Sequence, residues 1–168
     1  PEIAVKAATA LRGSDDIRVV LVGDEHVIRH YGELCAPGVK FQRFPANFSG
    51  NEAISLRPVD ALPATSFRPG EIDAAAGGAT VAYVDAAIGL VRSGNADAIV
   101  GCPHNETAVN AAGIPFSGYP GLIARLTGTP EEKVFMMLVG GDLRILPAKL
   151  NERIHTALAR LSPDLIEE

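Results

Sequence analysis

Short β-branched runs that stop at glycine and give way to helical patterns constrain this chain more than any other feature. The run Ile17-Arg18-Val19-Val20-Leu21-Val22 ends at Gly23-Asp24, as a buried parallel strand running into a loop does. Asp24 then stands where it can cap a helix reaching about Leu34. Ala96-Asp97-Ala98-Ile99-Val100-Gly101 reads as a second short buried strand, followed by the loop Cys102-Pro103-His104-Asn105-Glu106-Thr107 and a helix that ends before Gly113. Val134 to Val139 reads as another strand, with Leu143-Arg144-Ile145 beside it across a Gly140-Gly141 turn. Such alternation predicts an α/β sheet, with mixed strand directions because short turns also occur.

The clearest helix is predicted from Ile72 to Val91, where Ala76, Val81, Val84, Ile88 and Val91 follow three- and four-residue steps. Gly94 lies just past its end, the place of a left-handed cap. Further helices are expected over residues 2–11, from about Pro120 to Leu126 and from about Leu150 to Leu161, with another starting at Ser162-Pro163. Val39 to Phe44 reads as a short strand. Residues 45–70 are the least regular stretch, with one strand expected near Ala53-Ile54-Ser55-Leu56. The chain opens on Pro1-Glu2, which suits a first helical turn with nothing in front to cap it, so an upstream strand and turn are expected.

A length of 168 residues suffices for one domain or two small lobes. Aromatic residues make up only 5% and Trp is absent, a balance suited to helices on a buried sheet. The net charge of −5 argues against a broad nucleic-acid surface, although one helix N-terminus or Arg still suffices for a single phosphate. Cys35 and Cys102 have no CxxC spacing and read as two reduced, partly buried thiols. The sequence shows no uninterrupted apolar run of the roughly 18 residues a membrane span needs, and no leader pattern. The expectation is a cytoplasmic protein with neither nucleic acid nor membrane as partner.

In open α/β sheets ligands bind where strands end and helices begin, which directs attention to the loop at 102–107. Its polar residues equally suit plain capping, with Asn105 or Thr107 satisfying free backbone N–H groups. The sequence contains no GxGxxG, GxxxxGK[ST] or HExxH pattern. Gly77-Gly78 sits inside a helical pattern, where close packing explains it better than phosphate binding. Cys102 and His104 are two apart on a turn, a poor geometry for a nucleophile and its base. His26 and His30 share a helix face at metal-ligand spacing, yet no acidic partner surrounds them, so a solvated face is the simpler reading. His155 has the same plain reading.

Residues Ala96 to Gly118, with Gly113-Ile114-Pro115-Phe116-Ser117-Gly118 as their most specific part, resemble the central signature of the 4-hydroxythreonine-4-phosphate dehydrogenases (PdxA type). That signature is a strand, a Pro-x-Asn/His-Lys loop, and a helix ending in Ala-Gly-x-x-Phe-x-Gly-His-Thr-Glu. Supporting similarity lies at Pro1 to Ala8, Val22-Gly23-Asp24, Pro69 to Val91 and Val134 to Leu138. The resemblance implies a mixed-sheet α/β/α sandwich of the isocitrate and isopropylmalate dehydrogenase type, homodimeric, with a cleft near the subunit interface. It covers residues 1–168 as a partial region, the family's N-terminal Gly-rich turn and C-terminal half not being present. It further implies oxidation of the secondary alcohol of 4-phosphohydroxy-L-threonine, or of a related phosphorylated hydroxy acid, by NAD, on the route to pyridoxal phosphate. A divalent metal held by histidines would polarise the alcohol oxygen.

Carried over by position, Asn105 matches the substrate-contacting Asn/His. Glu106 falls where the family has a substrate-contacting Lys, and an anion there repels a phosphate or carboxylate. Tyr119 occupies the position of the first metal histidine, and a neutral phenol is a poor ligand for the usual divalent ions. These departures leave a non-catalytic relative that keeps the fold and a ligand cleft as the alternative to a dehydrogenase. A phosphate-binding, acyltransferase-like protein is a third reading from the same fold space.

Overall fold

The computed structural model describes residues 1–45, 53–147 and 153–163, in two compact units, Pro1–Pro115 and Phe116–Glu168. The first unit carries helices α1 (Glu2–Ala10), α2 (Glu25–Cys35), α3 (Ala74–Arg92) and α4 (Glu106–Ala111). Its strands are β1 (Val20–Gly23), β2 (Lys40–Arg43) and β3 (Ala53–Pro58). They pair in the order β1-β3-β2, all parallel, with Leu21 opposite Leu56 and Phe41 opposite Ile54. The strand expected in the irregular 45–70 stretch is therefore the middle of the sheet.

Period-two alternation explains the layering. Leu21, Ile54 and Leu56 point to one face, where they join Val5 and Ala8 of α1, Ile28 of α2 and Ala36 in one buried cluster. Ser55 and Arg57 belong to the opposite face, and Arg57 shares a cleft wall with Asp85, Ala86 and Gly89 of α3. Helices thus cover both faces of the sheet, and the α/β expectation holds.

α3 is held at both ends, the C-terminal one as the sequence predicts. The Asp73 carboxylate accepts the Ala76 N–H at 3.1 Å, and Gly94 takes the left-handed conformation (φ 71°) just past the helix. The helix is long and apolar enough to cross a membrane by length and composition. Gly77, Ala79, Ile88 and Leu90 are its buried residues, and Asp85 stands midway along it. Gly77 is where α4 crosses: a Cβ on it would stand 2.0 Å from the Ala108 carbonyl oxygen. Close packing, as read from the sequence, is the reason for this glycine.

The strand expected at 96–101 is not formed. The segment pairs with no strand among the described residues, and Ile99 is 40% and Val100 89% exposed. An apolar run becomes a strand only with a ladder partner and covered faces, and no described strand lies alongside it.

The second unit contains α5 (Tyr119–Thr127), the antiparallel pair β4 (Leu138–Gly140) and β5 (Leu143–Ile145), and α6 (Ile154–Arg160). The hairpin turns at Gly141 (φ 55°), the second glycine of the pair that signals it in the sequence. Only the end of the 134–139 run is a strand. The expected start of the last helix near Leu150 and the continuation beyond Pro163 lie outside the described residues.

Candidate functional site

The loop at 102–107 leads into α4. Asn105 is the helix N-cap: its Oδ1 accepts the Ala108 N–H at 2.9 Å, which leaves the Nδ2 donors of this exposed residue for a ligand. The capping and ligand readings of Asn105 are therefore compatible, since one amide end fixes the loop and the other stays available. Glu106 opens α4 and is exposed, in the first turn where a carboxylate suits the helix dipole. It forms no ion pair among the described residues. Ala108 and Val109 are buried against α3, so the cap sits on a fixed base. Cys102 and His104 are both partly buried, on either side of exposed Pro103.

Tyr119 belongs to the other unit. It is the first residue of α5, half-buried, with its ring edge-on to Phe116 at 6.2 Å and 84°. Among the described residues no group of three His, Cys, Asp or Glu side chains is placed to hold a metal.

His26 and His30 correct the sequence reading. They are not a solvated face: both rings meet Phe67 edge-on, at 5.8 and 5.2 Å, and His30 also meets Tyr31. Nε2 of His26 is buried without a hydrogen-bond partner. This is an aromatic contact that fastens α2 to the segment before α3. His155 is exposed, as expected.

Asp24 is the residue whose role the sequence concealed. It occupies the N-cap position of α2 but caps nothing with its side chain. The carboxylate is buried and accepts the N–H groups of Ala61 and Leu62, the latter at 2.9 Å, and the Tyr83 hydroxyl at 2.5 Å. It ties the end of β1 to residues 61–62 and to the middle of α3. Burial first, then the hydrogen bond to Asp24, pushes the Tyr83 phenol well above its ordinary range. A carboxylate directly after a buried strand was the available signal, and it pointed equally to a helix cap.

A separate open cleft of about 500 Å³ lies at the carboxyl ends of β2 and β3, lined by Phe44, Arg57, Asp85, Leu90 and Asn95. It adjoins α3 near Gly89, whereas α4 crosses near Gly77, so the two places are roughly 18 Å apart along the helix.

Parallel strands with helices on both faces, and a polar capped loop leading into a helix, define an α/β enzyme-like domain. The chain belongs to the PdxA family: the family model described as pyridoxal phosphate biosynthetic protein PdxA matches residues 15–168. It is 39% identical over 166 residues to the 1,2-dihydroxy-3,5-cyclohexadiene-1,4-dicarboxylate dehydrogenase of Comamonas sp., covering 99% of this chain and 49% of that protein. Among solved structures, a terephthalate 1,2-cis-dihydrodiol dehydrogenase from Burkholderia xenovorans LB400 is 46% identical at a TM-score of 0.74, covering 99% of this chain and 49% of the other. The 4-hydroxythreonine-4-phosphate dehydrogenase from Klebsiella pneumoniae is 28% identical at a TM-score of 0.83, covering 99% and 51%. The chain spans about half the length of the relatives it matches.

Proposed function

We propose that this chain contributes the substrate-contacting loop of a dehydrogenase that oxidises a secondary hydroxyl of a small hydroxy acid with NAD. The observation that carries the reading is Asn105, whose Oδ1 is fixed by the Ala108 N–H while Nδ2 is left to donate; the resemblance assigns that position to substrate contact. An amide held in this way binds a substrate oxygen without a further loss of rotamer freedom. NAD comes from the family resemblance, and no residue of this chain is assigned to it. A cytoplasmic homodimer belongs to the same reading, supported for the compartment by Cys35 and Cys102, neither of which is in a disulfide, and by the resemblance for the dimer.

Two substrate classes fit the family. One is a phosphorylated hydroxy acid, as in the name of the Klebsiella protein. The other is a ring cis-diol dicarboxylate, as in the names of the Comamonas and Burkholderia proteins. The higher identity to the diol enzymes favours the second. Glu106, a carboxylate where the resemblance places Lys, accepts hydrogen bonds from diol hydroxyls and repels the anionic groups of either class.

The test is NAD reduction by the protein in the presence of a divalent metal, with each substrate class offered separately. Turnover of the cis-diol dicarboxylate over the phosphorylated acid is the expected result. Binding of either substrate without NAD reduction would replace the dehydrogenase with the non-catalytic relative.

A further inference from the structure

We propose that Asp24 and Tyr83 are positioning residues for Asn105 and act on it through α3. The buried Asp24 carboxylate, at the end of β1, accepts the Tyr83 hydroxyl at 2.5 Å together with the N–H groups of Ala61 and Leu62. Leu62 also belongs, with Val27 of α2 and Ala79 of α3, to a buried cluster on which the Tyr83 ring packs. The same ring lies against Gly23, where a Cβ would stand 3.7 Å from it. A charge-assisted hydrogen bond in such surroundings is strong and directional. The first turns of α3 read Ala74-Ala75-Ala76-Gly77-Gly78-Ala79. Side chains this small raise no ridges, so the packing of this half gives the helix little register of its own. The bond from Tyr83 supplies it, fixing where α3 stands along its axis and how it is rolled.

That register passes directly to the loop. Gly77 lies six residues before Tyr83, about 9 Å along the same helix. There two backbones touch: a Cβ on Gly77 would stand 2.0 Å from the Ala108 carbonyl oxygen and 2.6 Å from the Val109 nitrogen. Ala108 and Val109 are buried, and no flexible side chain stands at this contact to absorb a shift, so α4 follows α3. Ala108 is also the residue whose N–H is bonded to Asn105 Oδ1. A displacement of α3 at Tyr83 therefore reaches the cap, and with it the Nδ2 donors offered to a ligand. The kinetic consequence rests on the reading of Asn105 as the substrate contact, whereas the structural coupling does not.

The experiment compares Tyr83→Phe, which removes the hydroxyl and keeps the ring, with Ile54→Val, which removes one methylene from the other core cluster and serves as the stability control. Amide hydrogen exchange and steady-state NAD reduction with a ring cis-diol dicarboxylate are measured for both. The Ala108 amide is expected to exchange at least about fivefold faster in Tyr83→Phe and within about twofold of the parent rate in Ile54→Val. Asp24→Asn, which keeps one acceptor oxygen and places a donor at the other position, gives the same acceleration. In the kinetic arm Tyr83→Phe raises KM roughly three- to tenfold with kcat within about twofold. That rise disappears when Asn105→Ala is already present, because Tyr83 reaches the substrate through Asn105. Equal Ala108 exchange in Tyr83→Phe and Ile54→Val would overturn the proposal and leave Asp24 and Tyr83 a general role in stability. A KM effect that adds in full to that of Asn105→Ala would overturn it as well. A protein that reduces no NAD with this compound sinks the dehydrogenase reading alone, and the exchange comparison then decides the positioning.

Discussion

Asp24 shows how one side chain fixes the first unit. Its buried carboxylate answers two backbone N–H groups and the Tyr83 hydroxyl. Removing it leaves three donors from two segments without that acceptor, and each buried unsatisfied group costs on the order of 1–3 kcal/mol. Asp24→Ala is expected to lower unfolding stability by roughly 3 kcal/mol in urea titrations, allowing for partial rescue by water. Tyr83→Phe, which removes only the hydroxyl, should cost about 1 kcal/mol. Glu25 makes a weaker, pH-dependent contribution. Hydrogen bonds from Arg29, then from Arg43, hold its carboxyl below the ordinary range. The folded-state value being the lower one, this stabilisation is present above the ordinary carboxylate range and is lost as pH falls through the lowered value. Because the pair partners are exposed, the effect is no more than about 1 kcal/mol. Glu25→Gln should flatten the acid limb of a stability-against-pH curve by that amount and leave the curve near neutrality less stable.

At the scale of elements, the α3–α4 crossing is the joint on which the site loop depends. A methyl at Gly77 would meet the Ala108 and Val109 backbone, which cannot move aside as a flexible side chain can. Gly77→Ala is expected to cost about 1–3 kcal/mol and to disturb the Asn105 cap, seen as faster exchange of the Ala108 amide. Gly78→Ala, which meets only the Ala112 Cβ at 3.8 Å, should be neutral or slightly stabilising in the same measurement. The sequence made these elements legible where the signal was local. Periodicity and caps located α3, the glycine pair located the hairpin, and β-branched runs located β1 and β3. It failed where the outcome depends on partners distant in the chain. The 96–101 run has strand composition but no described partner, and Asp24 was read as a cap although its acceptors' partners lie about 37 and 59 residues on. His26 and His30 were misread for the same reason, since Phe67 is remote in sequence. Of the candidate site, Asn105 and Glu106 were legible only through the family pattern, because their local chemistry is that of any capped helix.

On the scale of the whole molecule, this PdxA-family chain carries a loop capped by Asn105 and, among the described residues, no trio of metal-binding side chains. The central claim is that Asn105 and Glu106 contact the substrate. Calorimetric titration of the protein with a ring cis-diol dicarboxylate and with a phosphorylated hydroxy acid tests it most directly. The account predicts binding of the diol in preference to the phosphorylated acid, loss of roughly tenfold in affinity in Asn105→Ala, in keeping with one hydrogen bond, and tighter binding of both anions in Glu106→Lys. Unchanged affinities for both compounds in Asn105→Ala and Glu106→Lys would contradict it.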